Sequence, residues 1–211
     1  KLHIKVCHYE AGLRSRDRNM PEEINRLVTD AITDLFITTS DDANENLISE
    51  GVAPKQIHML GNLMIDSLVS HLGQASALEL HLKDLNDSPL DLDWGHSFSR
   101  YGVMTFHRPS NVDDLETLTI LVDHWIKTSE ELPLIFPIHP RTQNMLQKFG
   151  LLEAMTSAPN IHLTGPLSYL EFLRLVSGSS LVITDSGGIQ EETTYLKIPC
   201  LTVRPTTERP I

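Results

Sequence analysis

The feature that most constrains this chain is a rhythm. Short runs rich in β-branched and apolar residues alternate with longer stretches whose apolar positions recur every three to four residues. In the second half, 101–106, 134–138, 160–164, 180–184 and 200–203 read as strands. Between them, 115–128, 142–149, 168–177 and 187–196 read as helices. Strands separated by whole helices are joined by crossovers rather than hairpins. The pattern therefore predicts parallel sheets covered by helices on both faces.

The first half keeps the same rhythm. A strand is expected over 2–9, then a loop over 14–21 that is rich in arginine. Pro21 followed by Glu22 and Glu23 starts a helix, because proline suits the first helical position and acids suit the positive end of the helix dipole. Ile24, Leu27, Val28, Ala31 and Ile32 give that helix its apolar spacing. A strand at 35–39 leads to a helix capped by Ser40 or Asp41 and ended by Gly51. A strand at 56–60 precedes a helix that runs to about Leu72. The character then changes. Asp84, Asn86, Asp87, Ser88, Pro89, Asp91 and Asp93 crowd one stretch, so 73–98 reads as a surface excursion or interdomain linker.

Charge and composition narrow the function. The chain has 17 Lys and Arg against 28 Asp and Glu, a formal charge of −11. Such a surface repels a phosphate backbone and an anionic bilayer, so neither nucleic acid nor a membrane is expected as a partner. No apolar run approaches the ~20 residues that a membrane helix needs. Cys7 and Cys200 lie in strand-like settings with no Cys-x-x-Cys or Cys/His spacing. They read as buried free thiols of a protein in a reducing compartment, the cytoplasm, with no metal site. The chain opens inside a strand-like stretch without an initiator methionine and stops soon after another strand. It reads as an internal piece of a longer protein.

The strongest local signal is Leu181-Val182-Ile183-Thr184-Asp185-Ser186-Gly187-Gly188-Ile189-Gln190-Glu191-Glu192. A buried strand runs into Ser-Gly-Gly, and Gly187 and Gly188 are expected to open a helix at its C-terminal end. The free amides of a first helical turn favour an anion, most simply a phosphate or diphosphate, and the Ser186 hydroxyl adds a donor. The run is neither GxGxxG nor a Walker A sequence. Glu192, a turn further on, is either a bidentate acceptor for a ribose diol or a solvated helix acid.

Two other strand ends carry reactive side chains. His8-Tyr9-Glu10-Ala11-Gly12-Leu13-Arg14 follows the first strand, where parallel α/β proteins place residues that face ligands. Glu10 is either an acid–base group or a partner of Arg14. Glu22 is either a second acid–base carboxylate or a helix-start acid. His107 and Arg108 follow the strand at 101–106, a pairing suited to holding a diphosphate or protonating a leaving group; the alternative is an ordinary loop histidine. His139, also after a strand, is a weaker ligand candidate.

Taken in order, six segments resemble the non-hydrolysing UDP-N-acetylglucosamine 2-epimerase family. They are His8–Arg14, Pro21–Arg26, Gly61-Asn62 with Ile65-Asp66, Phe106-His107-Arg108, Asp185–Glu192 and Thr206-Thr207-Glu208-Arg209-Pro210. The resemblance implies two Rossmann-like domains of the glycosyltransferase-B type around a cleft, incomplete at both ends. Residues 1–72 would close the first domain, 73–98 would pass between domains, and 99–211 would form most of the second, nucleotide-binding domain. The family's opening portion, with a phosphate-binding arginine and a further catalytic aspartate, would be missing.

The resemblance also implies the chemistry. C2 of UDP-N-acetylglucosamine is inverted to give UDP-N-acetylmannosamine, a precursor of surface polysaccharides, through loss and re-addition of UDP. Glu10, Glu22 and His107 match the family's catalytic residues. Arg108, Ser186, Gly187, Gly188 and Arg209 match diphosphate contacts, and Glu192 matches the ribose ligand. Phe172 matches the aromatic beside the uracil and Leu167 the backbone that reads its edge. By pattern alone, Phe172 looks like a core residue. No cofactor is implied, and the full-length enzyme is expected to be a homodimer. Pro109-Ser110-Asn111 departs from the charged residues many relatives carry there, and relatives acting on diacetamido-uronates share the motifs, so the nucleotide is better specified than the sugar. The competing readings are a UDP-sugar glycosyltransferase of the same fold, which does not need Glu10 and Glu22, and a nucleotide-sugar-binding module without turnover.

Overall fold

Every strand pairing in both sheets of the computed structural model, which describes residues 3–90, 100–204 and 207–208, is parallel. The chain forms two compact units, Lys1–Ser67 with Arg204–Ile211, and Leu68–Val203.

In the first unit, β1 (Cys7–Tyr9), β2 (Leu35–Thr38) and β3 (Ile57–Met59) pair in that order. Helix α1 (Pro21–Ile32) joins β1 to β2, and α2 (Asp41–Ser49) with a 3₁₀ turn at Pro54–Gln56 joins β2 to β3. Ser40, not Asp41, caps α2 by accepting from the Ala43 N–H. The small core gathers Ala11, Phe36 and Leu47, with Val52 and Ile57 against it. Helix α1 buries Glu23 and Asp30, while Val28 and Ile32 on its apolar stripe are 59 % and 64 % exposed. Ile24 and Leu27 of the same stripe are half-buried, and hydrogen bonds satisfy both buried carboxylates. Cys7 and Cys200 are free thiols, but Cys7 is exposed and Cys200 only half-buried, against expectation. Cys7 sits on β1, which has a neighbour on one side only.

Helix α3 (Leu63–Ser76) begins in the first unit and continues into the second. The second unit holds β4 (Gly102–Thr105), β5 (Leu134–Pro137), β6 (Ile161–Thr164), β7 (Leu181–Thr184) and β8 (Cys200–Thr202) in the order β6-β5-β4-β7-β8. Strand side chains alternate between faces. Met104, Phe136 and Ile183 meet Leu118, Val122 and Trp125 of α5 (Leu115–Glu131), Leu146 of α6 (Pro140–Lys148) and Met155 of α7 (Leu152–Ser157). Val103, Ile135 and Val182 meet Leu175 and Val176 of α8 (Tyr169–Ser177) and Ile189 of α9 (Gly187–Leu196). Phe106, Trp125 and Phe136 form a ring cluster with centroids 4.6 to 6.3 Å apart.

Two short helices escaped the sequence pattern, α7 and α4 (Pro109–Val112), because each is too short to show a helical period. Within 73–98, α3 runs to Ser76, and Leu82 is buried in the second unit's core with Leu80 and Leu90 against it. Asp84 closes the turn there by accepting from the Asn86 and Ser88 amides. Residues 91–98 of that stretch lie outside the described residues.

Two glycines test how tightly the first unit is built. Gly12 has φ +80°, and a Cβ there would lie 2.4 Å from the Ala43 carbonyl oxygen. Gly51 has φ +92° with open space around it. Gly12→Ala should lower the unfolding free energy by about 3 kcal/mol, from left-handed backbone plus overpacking. Gly51→Ala should cost only about 1 kcal/mol, from the backbone alone. Urea unfolding of both variants checks this, and equal losses would show that the Ala43 contact is not tight.

Candidate functional site

In the second unit the chain order reverses between β4 and β7, which lie side by side. A strand-order reversal is where open α/β sheets bind ligands, beyond the carboxyl ends of the strands. Thr105 and Thr184 end the two strands in register, their hydroxyls 2.7 Å apart. Strand β4 continues into Phe106, His107 and Arg108, and β7 into Asp185 and Ser186.

Asp185 is fully buried and organises both ends. Its Oδ2 accepts from the backbone N–H of Arg108 at 2.8 Å and from Asn111 Nδ2 at 3.1 Å. The His107 amide donates to both carboxylate oxygens, and His107 Nδ1 lies 3.1 Å from Oδ1. Burial works against the charge on Asp185, but the His107, Arg108 and Asn111 hydrogen bonds outweigh it and hold the carboxyl below its ordinary value. A carboxylate on Nδ1 makes that nitrogen a donor, so Nε2 carries the imidazole's exchangeable function. The His107 side chain is 40 % exposed.

As predicted, α9 opens at Gly187 directly after a parallel strand. Ser186 is its N-cap residue, and its hydroxyl makes no capping bond. Further along α9, Glu192 is buried. Burial raises its carboxyl above the ordinary value; the Tyr169 hydroxyl, donating at 3.4 Å, opposes that rise, and the charge of Glu191 adds to it. Phe172 and Leu167 pack against the β4–β5–β7 core beside α8, partly buried. His139 caps α6 by accepting from the Arg141 amide, which gives it a structural task, although its ring lies 5.7 Å from that of His107.

In the first unit, Glu10 follows β1 with φ +72°, in the left-handed region. Arg14, weighed as one possible partner of Glu10, makes a bidentate pair with Glu50 at 2.8 and 2.7 Å and a bond to Asp30 at 2.7 Å. Glu22 lies exposed in the first turn of α1. Its neighbour Glu23 is buried and accepts from the Ser15 amide, the Ser15 hydroxyl, the Arg16 amide and Arg26. Burial opposes the charge on Glu23, and those donors outweigh it, so its carboxyl is held low. Glu208 is buried against Arg204, 2.7 Å away. Arg209 lies outside the described residues. Among the described residues, no cluster of three or more His, Cys, Asp or Glu could hold a metal ion, and no helix is long and apolar enough to cross a membrane.

Sequence alone assigns no site role to Asp185, Asn111 or Asp30, and takes Glu23 only as a helix-start acid. Asp185 had the clearest signal, a carboxylate directly after an apolar strand and before Ser-Gly-Gly. The others are legible only once their distant partners are known.

Asp185→Asn keeps the shape and removes the charge. It should lower the stability of the protein by about 2–3 kcal/mol at pH 7, the scale of hydrogen bonds to a charged group. The folded-state value lies below the unfolded one, so this contribution is complete above about pH 4 and is lost as pH falls further. The stability gap between wild type and variant, followed by urea titration, should therefore shrink in acid. A gap that stays constant down to pH 2 would assign it to shape rather than charge.

The sequence profile of the family described as UDP-N-acetylglucosamine 2-epimerase matches residues 1–211. The UDP-N-acetylglucosamine 2-epimerase of Methanocaldococcus jannaschii is 42 % identical over 212 residues, covering 100 % of this chain and 56 % of that protein. The UDP-2,3-diacetamido-2,3-dideoxy-D-glucuronate 2-epimerase of Pseudomonas aeruginosa is 36 % identical, covering 99 % of this chain and 54 % of that protein. A crystal structure of the M. jannaschii enzyme in complex with UDP-GlcNAc and UDP superposes with a TM-score of 0.84 at 38 % identity, over 99 % of this chain and 56 % of that one. The Neisseria meningitidis UDP-GlcNAc 2-epimerase bound to UDP-GlcNAc gives 0.79 at 29 % identity, over 98 % and 55 %. The chain thus spans little more than half the length of these relatives. Its two parallel α/β units are of the glycosyltransferase-B type, and the chain belongs to the UDP-N-acetylglucosamine 2-epimerase family.

Proposed function

We propose that the full-length protein inverts C2 of a UDP-2-acetamido sugar, UDP-N-acetylglucosamine first, to give UDP-N-acetylmannosamine. The observation that carries the reading is the paired end of β4 and β7. There a buried carboxylate holds His107 beside the amino end of α9, in a chain that also carries Glu10 at a strand tip.

The C2 proton has no adjacent carbonyl to acidify it, so its removal must accompany departure of UDP from C1. A carboxylate base takes the proton, the C2–H electron pair becomes the C1–C2 double bond, and the C1–O bond breaks with its pair going to UDP. The products of this half-reaction are UDP and a 2-acetamidoglucal. Re-addition of UDP at C1 with protonation at the other face of C2 completes the inversion. Two acid–base groups on opposite faces are needed, and Glu10 and Glu22 are assigned to them. Ser186, the amides of Gly187 and Gly188, Arg108 and Arg209 are assigned to the diphosphate, whose charge grows as C1–O breaks. His107, with Nδ1 held by Asp185, passes its Nε2 proton to the departing diphosphate oxygen. Glu192 takes the ribose diol, and Phe172 and Leu167 the uracil.

The reaction needs no redox step, so no nicotinamide is required, and activity should survive chelation of divalent ions. A cytoplasmic location and a homodimeric full-length enzyme belong to the same reading. Free thiols accord with the first. The sharing of motifs with the P. aeruginosa relative makes diacetamido-uronate substrates the comparison to run.

The test is exchange of the C2 hydrogen with solvent deuterium by the full-length enzyme. Exchange supports the epimerase, and sugar transfer without exchange indicates a glycosyltransferase. Glu10→Gln should lower kcat by roughly 10²–10⁴-fold with little change in KM, the mark of a contact made in the transition state. Glu192→Gln should instead raise KM and leave kcat near native, as expected of a group that holds the ribose in ground and transition states alike. A near-native kcat for Glu10→Gln would remove Glu10 from the chemistry.

A further inference from the structure

Glu10 occupies a backbone conformation that L-residues avoid, φ +72° at the end of a strand. Glu10 lies in the turn that leaves β1, and Arg16 in the same loop, Asp87 at a turn and Lys197 at a helix end share its region. A non-glycine residue stays there only where its surroundings hold it. One side chain reaches both sides of Glu10. Asp30, buried on the inward face of α1, lies 2.5 Å from His8 Nδ1 through Oδ1. Its Oδ2 accepts from the Gly12 amide at 3.2 Å and from Arg14 Nη2 at 2.7 Å. Residues two before, two after and four after Glu10 thus converge on one carboxylate. The Ala11 amide, between them, donates to the Ile37 carbonyl at 2.9 Å. Arg14 is itself anchored to Glu50, so the hub is tied to the end of α2. His8, Ala11, Gly12 and Arg14 are thus held on both sides of Glu10.

From this geometry we infer that Asp30 is the positioning residue for Glu10: its carboxylate sets the left-handed backbone from which Glu10 acts. The inference rests on the proposed role of Glu10. A displacement of about 1 Å at a reacting group can cost on the order of 10²-fold in rate, so losing this brace should be visible in turnover.

A double-mutant cycle in the full-length enzyme tests it. Asp30→Asn keeps the volume of the side chain and removes its charge. Alone it should lower kcat by roughly 10–100-fold, with the KM for the UDP-sugar changed less than about threefold. In the Glu10→Gln background the same change should cost less than about threefold, because Asp30 then has no acid–base group left to aim. Equal losses in both backgrounds would mean that Asp30 serves the structure generally and would overturn the inference. Native kcat for Asp30→Asn beside a crippled Glu10→Gln would overturn it too while leaving the role of Glu10 intact. If Glu10→Gln is itself active, it is the reading of Glu10 that fails. Should Asp30→Asn not fold, His8→Gln removes one arm of the brace. It should lower kcat about 3–10-fold, coupled to Glu10 in the same way; additive behaviour in that cycle would overturn the inference.

Discussion

A buried carboxylate must be fully hydrogen-bonded or it destabilises the fold around it, and Asp185 turns that requirement into an organising device. Its donors come from residues 74 to 78 positions away in sequence: the His107 and Arg108 amides, the His107 ring and the Asn111 side chain. Asn111 donates in addition to the carbonyl of Val203, just beyond β8. One side chain therefore gathers the ends of β4, β7 and β8 and the short helix α4. The strand-order reversal supplies the place for a ligand, and the Asp185 contacts shape what is displayed there. They fix a histidine by one ring nitrogen and bring it next to a helix start whose serine hydroxyl makes no capping bond.

The first unit uses the same device with less apolar material. Among the described residues, helix α1 buries two carboxylates beside half-buried Ile24 and Leu27. Glu23 gathers the loop before α1 through two amides, a hydroxyl and Arg26. Asp30 gathers the loop after β1. Both therefore hold the single connection between β1 and α1, which starts at Glu10 and runs into the helical turn that carries Glu22, the two residues assigned to the acid–base chemistry. Hydrogen-bonded carboxylates have directional, short-range geometry, which suits the exact placement of a loop better than nondirectional apolar packing. The cost is sensitivity: removing one partner leaves a buried charge, and the whole loop loses its definition.

The alternation of strands and helices was legible because it is written locally. A period of two or of 3.6 is a property of neighbouring residues, so 134–138 and 187–196 could be placed within a residue, while the ends of other elements were off by more, as where the strand expected over 2–9 spans only Cys7–Tyr9 and the helix expected to end near Leu72 runs to Ser76. The parallel sense followed from the helices between strands. The Ser-Gly-Gly turn and the strand-tip positions of Glu10 and His107 were legible for the same reason, since each motif is contiguous. The two shortest helices, α4 and α7, were not, because four or six residues hold too little of a period.

The tertiary structure alone decided which side chains meet. Arg14, four residues after Glu10 in the motif, pairs with Glu50 and Asp30, which stand 36 and 16 positions away. The pattern of α1 showed its aliphatic spacing but not that Glu23 and Asp30 would be buried beside it. Cys7, strand-like in sequence, is exposed among the described residues. The sequence by itself determined the elements, their parallel arrangement and the motifs at the strand ends, since these depend on local periodicity and contiguous residue types. The hubs on Asp185, Asp30 and Glu23 depend on strand order and on which face of a helix turns inward. Those are properties of the packed chain, fixed by contacts between residues far apart in sequence.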